Sequence, residues 1–186
     1  MSRVELRLSG FGGQGIILAG FIVGQAAVLY DGKNATFTQS YGPEARGGAC
    51  SAQVVISDEV GGYPYVVNPS TVVAMSQEAY AKYASGVGEG VRVIIDESLV
   101  KPEPSKKDRV LAVPATRIAQ ELGRSGVANI VMLGFLAAVT DIVSVEAMKK
   151  SILDSVPKGT EALNMAAFDR GFAYGRQSGT MGAKLT

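Results

Sequence analysis

Histidine and tryptophan are absent from the 186 residues, and cysteine occurs once, as Cys50. Without imidazole the chain can build no Ser-His-Asp or Cys-His nucleophile system, and no zinc site resting on histidine. A lone thiol forms no internal disulfide and cannot hold an iron–sulfur cluster, which needs several thiolates, so the expected compartment is reducing. Charge of one sign is also missing. The 18 basic and 17 acidic residues give a net charge of +1, and no global field favours nucleic acid, an anionic membrane or a basic partner. The uncharged run Gly15–Tyr30 falls short of the roughly 20 apolar residues a membrane span needs. The opening MSRVELRLSG places Arg3, Glu5 and Arg7 among its apolar residues, unlike the continuous apolar centre of a signal peptide. The expectation is a cytoplasmic protein, with one domain over residues 1–176 and a mobile tail over 177–186.

What is present is hydrophobic periodicity, with 47% of residues apolar. Val4, Leu6 and Leu8 alternate with Arg3, Glu5 and Arg7, the pattern of a strand with one buried face. GIILAGFIVGQAAVLY, Gly15–Tyr30, reads as a buried helix that is apolar all round, with Gly20 and Gly24 placed to admit another helix closely. KNATFT supplies a second strand, and ACSAQVVIS and GYPYVV read as a hairpin turning at Asp58–Gly62. STVVAM, SQEAYAKYA, VRVIID, DRVLAVPA and TRIAQELG continue as strands alternating with helices, and KPEPSKKD is a surface loop. From Asn129 the chain reads as helical, in three segments, with Ser144 as an N-cap. The fold expected is α/β: a Rossmann-like three-layer sandwich with a mostly parallel sheet, a β-hairpin insertion and a helical C-terminal part. Two helices apolar around their circumference call either for an obligate interface or for a core thick enough to absorb them.

Two glycine-bearing segments carry the functional signal. Gly10, Gly12 and Gly15 match G-x-G-x-x-G directly after a strand and opening a helix, where unpaired backbone N–H groups face an anion. A dinucleotide site would also want an acid closing the second strand, and Thr38, Gln39 and Ser40 stand there instead. The turn therefore reads three ways: a nucleotide site, a site for a cofactor fragment or partner phosphate, or a glycine turn for close packing. In SYGPEARGG, Pro43 fixes one φ while Gly42, Gly47 and Gly48 free others around Tyr41, Glu44 and Arg46. Arg46 is placed either to clamp a carboxylate or phosphate or to form a surface ion pair with Glu44. Cys50, with no base identifiable beside it, reads as a small apolar core residue.

Together GFGGQGIILAG and TQSYGPEARGG resemble the γ subunit of the 2-oxoacid:ferredoxin oxidoreductases, over nearly the whole chain. Tyr41–Gly48 is most similar to the 2-oxoglutarate type; pyruvate and branched-chain types tend to read phenylalanine and a double arginine there. The resemblance implies a complex that converts 2-oxoglutarate, coenzyme A and oxidised ferredoxin to succinyl-CoA, CO2 and reduced ferredoxin, using thiamine diphosphate, Mg2+ and iron–sulfur clusters. It implies α and β subunits as partners, a ferredoxin-like δ subunit in some complexes, and ferredoxin as the acceptor. With no G-D-G metal-diphosphate motif and one cysteine, this chain would hold none of the reactive groups alone and offer no catalytic residue of its own. Gly10, Gly12, Gly13, Gln14 and Gly15, with Tyr41, Gly42, Pro43, Glu44, Arg46, Gly47 and Gly48, would face ligand or partner. The isolated chain is expected to pair as a homodimer through its uncovered helices. The rival readings are a free-standing Rossmann-type dinucleotide-binding module, a γ subunit acting on pyruvate or branched-chain 2-oxoacids, and a subunit that only scaffolds.

Overall fold

The computed structural model describes residues 3–41, 48–59, 63–105 and 110–182. Strand β1 (Arg3–Phe11) leads through the glycine turn into α1 (Ile16–Gln25), whose last part widens into a π-helical segment at Ala26–Tyr30. Two strands follow, β2 (Asn34–Ser40) and β3 (Ala49–Ser57), then β4 (Thr71–Ala74), the short α2 (Gln77–Ala79) with its own π-helical continuation at Tyr80–Ala84, β5 (Arg92–Asp96) and β6 (Val110–Val113). Four helices complete the chain: α3 (Ala115–Glu121), α4 (Ala128–Val139), α5 (Val145–Ser155) and α6 (Glu161–Gly182).

One six-stranded sheet runs in the order β2-β3-β1-β4-β5-β6. β1, β4, β5 and β6 pair in parallel, and β3 is antiparallel to both of its neighbours. Strand alternation sends Leu6, Leu8, Val54, Ile56, Val73 and Ile94 to one face, where α1, α3, α4, α5 and α6 build the main core. Val72, Ala74, Val93 and Ile95 go to the other, under Tyr80 and Ala84. The three-layer, mostly parallel α/β architecture is the one the alternation called for, and Ser144 caps α5 as expected, its Oγ accepting from the Ala147 N–H at 3.1 Å.

The hairpin is a different one from that expected. β2 pairs with β3, and Tyr63–Val67 forms no strand. Its backbone is taken by side chains of β1: Arg3 donates to the carbonyls of Tyr63 and Tyr65 at 2.8 and 3.0 Å, while one Glu5 oxygen accepts from the N–H groups of Val67 and Asn68 at 2.6 and 2.7 Å. Gly20 and Gly24 also differ from expectation. A Cβ on Gly20 would meet Ala52 and Phe37, and one on Gly24 would meet Val54 and Phe37, so both glycines seat α1 on its own sheet and lend no support to a second copy.

α4 is buried from Ala128 to Ala137. Its cover is α6, and the two backbones touch: a Cβ on Gly134 would lie 2.1 Å from the Phe168 carbonyl oxygen, and one on Gly171 would lie 2.0 Å from that of Val131. α6 continues helical through Gln177–Gly182, where the sequence shows no period. Two carboxylates, Asp96 buried and Asp31 half-buried, fix the remaining joints. Asp96, closing β5, accepts from the backbone N–H and the hydroxyl of Thr116, anchoring the start of α3. Asp31 accepts from the N–H and hydroxyl of Ser144, which ties the end of the first helix to the N-terminus of α5. No helix among the described residues is long and apolar enough to cross a membrane.

Candidate functional site

β1 sits between β3 and β4, and the chain leaves it through α1 to one side and returns to it as β4 on the other. Open α/β sheets place ligands outside the carboxyl ends of the strands at such a switch point. The glycine turn stands there. Gly13 and Gly15 have φ of 97° and 73°, conformations that favour glycine. Gly15 also has no room for a side chain, because a Cβ would lie 2.4 Å from the Asn129 amide nitrogen. Asn129, only 3% exposed, donates to the Gly15 carbonyl at 3.2 Å and accepts from the Ile130 N–H at 2.9 Å.

Gln14 closes the turn. Its Oε1 accepts from the Phe11 N–H at 2.7 Å, and its Nε2 donates to the Met75 carbonyl at 2.8 Å, just beyond β4. Gly10 is the contact glycine beneath, since a Cβ there would collide with Gln14 Oε1 and Ile16. Gly12 is unlike its neighbours: it has no positive φ, and nothing lies within 4 Å of where its Cβ would be. Gly12 and Gly13 thus present bare backbone outward, at the start of a ten-residue helix with no side-chain cap and no acidic residue in its first turn. The unpaired N–H groups and the positive end of the helix dipole make that surface receptive to an anion.

The second segment reaches the same end of the sheet. Phe11 is opposite Ala49 and Ser40 is opposite Ser51, so the β2–β3 connection begins and ends beside the glycine turn. Tyr41 is 64% exposed there, and Gly48 is half-buried. Gly42, Pro43, Glu44, Arg46 and Gly47 lie outside the described residues. Cys50 pairs with Gly10 and is buried, and burial pushes its thiol pKa up, the opposite of a reactive thiolate. Among the described residues no group of three or more His, Cys, Asp or Glu side chains could hold a metal ion. A dinucleotide site is not assembled either, because β3 separates β2 from β1 and the end of β2 is removed from the glycine turn by one strand. Asn129 and the Met75 carbonyl are the site-forming groups that sequence reading missed. The available signal was an amide at the head of an otherwise apolar helix.

Residues 5–174 match the family model described as pyruvate ferredoxin/flavodoxin oxidoreductase. The 2-oxoglutarate synthase subunit KorC of Methanocaldococcus jannaschii is 54% identical over 178 residues, covering 94% of this chain and 95% of that one. The crystal structure of the γ subunit of a keto/oxoacid ferredoxin oxidoreductase from Geobacter sulfurreducens superposes with a TM-score of 0.80 at 42% identity, over 92% of this chain and 98% of that one. A 2-oxoglutarate:ferredoxin oxidoreductase from Magnetococcus marinus, solved with 2-oxoglutarate, coenzyme A and succinyl-CoA bound, superposes with a TM-score of 0.84 at 25% identity, over 95% of this chain and 32% of that longer one. With the family model spanning nearly its whole length, the chain belongs to the pyruvate ferredoxin/flavodoxin oxidoreductase family.

Proposed function

We propose that the chain is the γ subunit of a 2-oxoglutarate-type 2-oxoacid:ferredoxin oxidoreductase, working in the cytoplasm with α and β subunits and, where one is present, a ferredoxin-like δ subunit. Its part is to form one wall of the cavity in which the acyl group passes to coenzyme A. The relatives carry the choice of reaction: the KorC protein shares more than half of its residues with this chain across almost the full length of both. The glycine turn carries the choice of site. Gly12 and Gly13 have open space where side chains would be, at a helix start with unsatisfied N–H groups, and that chemistry fits a phosphate of coenzyme A or the backbone of a neighbouring subunit. Thiamine diphosphate, Mg2+ and the clusters fit residues of this chain poorly, since its one thiol is buried within the sheet and the described residues hold no group of three or more His, Cys, Asp or Glu side chains for a metal, so their chemistry is assigned to the companion subunits.

Reconstitution with those subunits tests the reading. Gly12→Val adds a side chain that the chain itself has room for, so its melting temperature should hold while the apparent KM for coenzyme A rises about tenfold, a loss of about 1.4 kcal/mol. Arg46→Ala should raise the KM for coenzyme A or oxoacid, or loosen assembly. Unchanged coenzyme A kinetics with weakened assembly in both variants would assign the two loops to scaffolding instead.

A further inference from the structure

At the level of Arg7 the sheet carries a row of directly opposed residues: Thr38 of β2, Gln53 of β3, Arg7 of β1 and Val72 of β4. All project from the face turned away from α1 and α4. Gln53 is partnered, its Oε1 accepting from the Val66 N–H at 3.3 Å. The Arg7 Nε, in contrast, is buried without an acceptor among the described residues. The nearest acid along the strand, Glu5, is already engaged by Arg3 and two backbone N–H groups.

Beside Arg7 opens a cavity of about 560 Å3 at the amino ends of β4 and β5, lined by Asn68, Pro69, Gly86 and Val91 among others. Tyr83 also lines it, with the Arg7 guanidinium 5.3 Å from the ring centroid and the exposed Lys82 ammonium 5.2 Å from it. Two cations therefore share one ring, and Glu89, the acid among the lining residues, has an interaction of its own. A guanidinium that forms no ion pair among the described residues, held by an aromatic face at the edge of a cavity, is arranged for a bidentate oxyanion.

We propose that this pocket binds an oxyanion, a carboxylate or phosphate group, clasped by Arg7 and Lys82 over Tyr83. It is separate from the glycine turn: Arg7 and Phe11 are four residues apart on β1, about 13 Å of strand, and the cavity lies toward the opposite end. A free anion as its occupant is independent of the proposed complex; a companion subunit's carboxylate rests on that reading. The oxyanion has two sources, a small anion free in solution or an Asp or Glu side chain of a companion subunit.

The full chain titrated with succinate, and separately with inorganic phosphate, against sodium chloride at matched ionic strength, reads the first source by calorimetry and melting temperature. Saturable stabilisation is expected, weakened at least tenfold in Arg7→Gln and in Lys82→Gln. Without anion, Arg7→Gln should melt at or above the wild-type temperature, because it removes a half-buried side chain whose Nε has no hydrogen-bond acceptor among the described residues. If neither anion binds, the second arm applies: assembly with the companion subunits should weaken at least tenfold in both variants, assigning the oxyanion to a protein carboxylate. Wild-type behaviour of both variants in both arms would overturn the proposal, as would a lowered Arg7→Gln melting temperature with neither anion binding nor altered assembly.

Discussion

α1 and α4 have much the same composition, and the fold treats them differently. α4 is enclosed by its own chain, with α6 pressed against it at Gly134 and Gly171. α1 is seated on the sheet through Gly20 and Gly24, and its far side leaves Phe21 47% and Leu29 61% exposed. An all-apolar helix thus announces that cover is needed without saying who supplies it. In α4 the cover is intramolecular; in α1 the residual apolar surface is what a subunit of a larger assembly offers a neighbour.

The contrast can be broken most forcefully at the α4–α6 contact. Gly171→Val drives two methyls into the Val131 carbonyl and should cost about 3 kcal/mol or more in urea unfolding, enough to leave little folded protein at 37 °C. A mild effect there would mean that the two helices separate readily.

The polar face of β1 is a second place where the chain supplies its own cover. Burial of Glu5 opposes its ionisation, but the Arg3 guanidinium and the N–H groups of Asn68 and Val67 together outweigh it and hold its carboxyl below the ordinary carboxylate value. Its stabilising contribution is therefore full above that ordinary value, near 4.5, and lost as pH falls through the lowered folded value. Glu5→Gln should cost about 2 kcal/mol at pH 7, with the gap from wild type closing progressively below pH 4.5 in a series of denaturant melts. A gap independent of pH would mean that shape, not charge, holds the Tyr63–Asn68 segment.

Gly15→Ala sharpens the comparison where the Asn129 side chain of α4 reaches the N-cap of α1. The left-handed φ and the crowding by Asn129 should together cost about 1–2 kcal/mol in thermal denaturation. At the small end, Leu29→Asp on the outer side of α1 should move the isolated chain's stability by no more than about 0.5 kcal/mol. The same variant should reduce co-purification with companion subunits, and a large loss of stability would show that α1's outer side is covered within the chain after all.

Much of this fold was legible in the residues. The period-two pattern of β1, the glycine turn opening α1 and the Ser144 cap are local features, and each was found where expected. What was hidden is non-local. Tyr63–Val67 has the composition of a strand, yet its backbone groups are claimed by Arg3 and Glu5, about sixty positions earlier, and no property of the segment itself reveals that. The placement of β3 between β1 and β2 is likewise a matter of pairing, which alternation cannot rank. At the candidate site Gly10, Gly13 and Gly15 were legible because φ or crowding restricts residue type there, whereas nothing within the chain restricts Gly12. Asn129 was not, because its role depends on a carbonyl 114 positions away.

The Gln14 amide is a mechanical element of the fold. By gripping Phe11 on one side and Met75 on the other, it makes the glycine turn a brace spanning two strands rather than a flap hinged on one. A molecule arriving at Gly12 meets a surface already cast, so little freedom is lost on contact and more of the contact energy is retained as affinity.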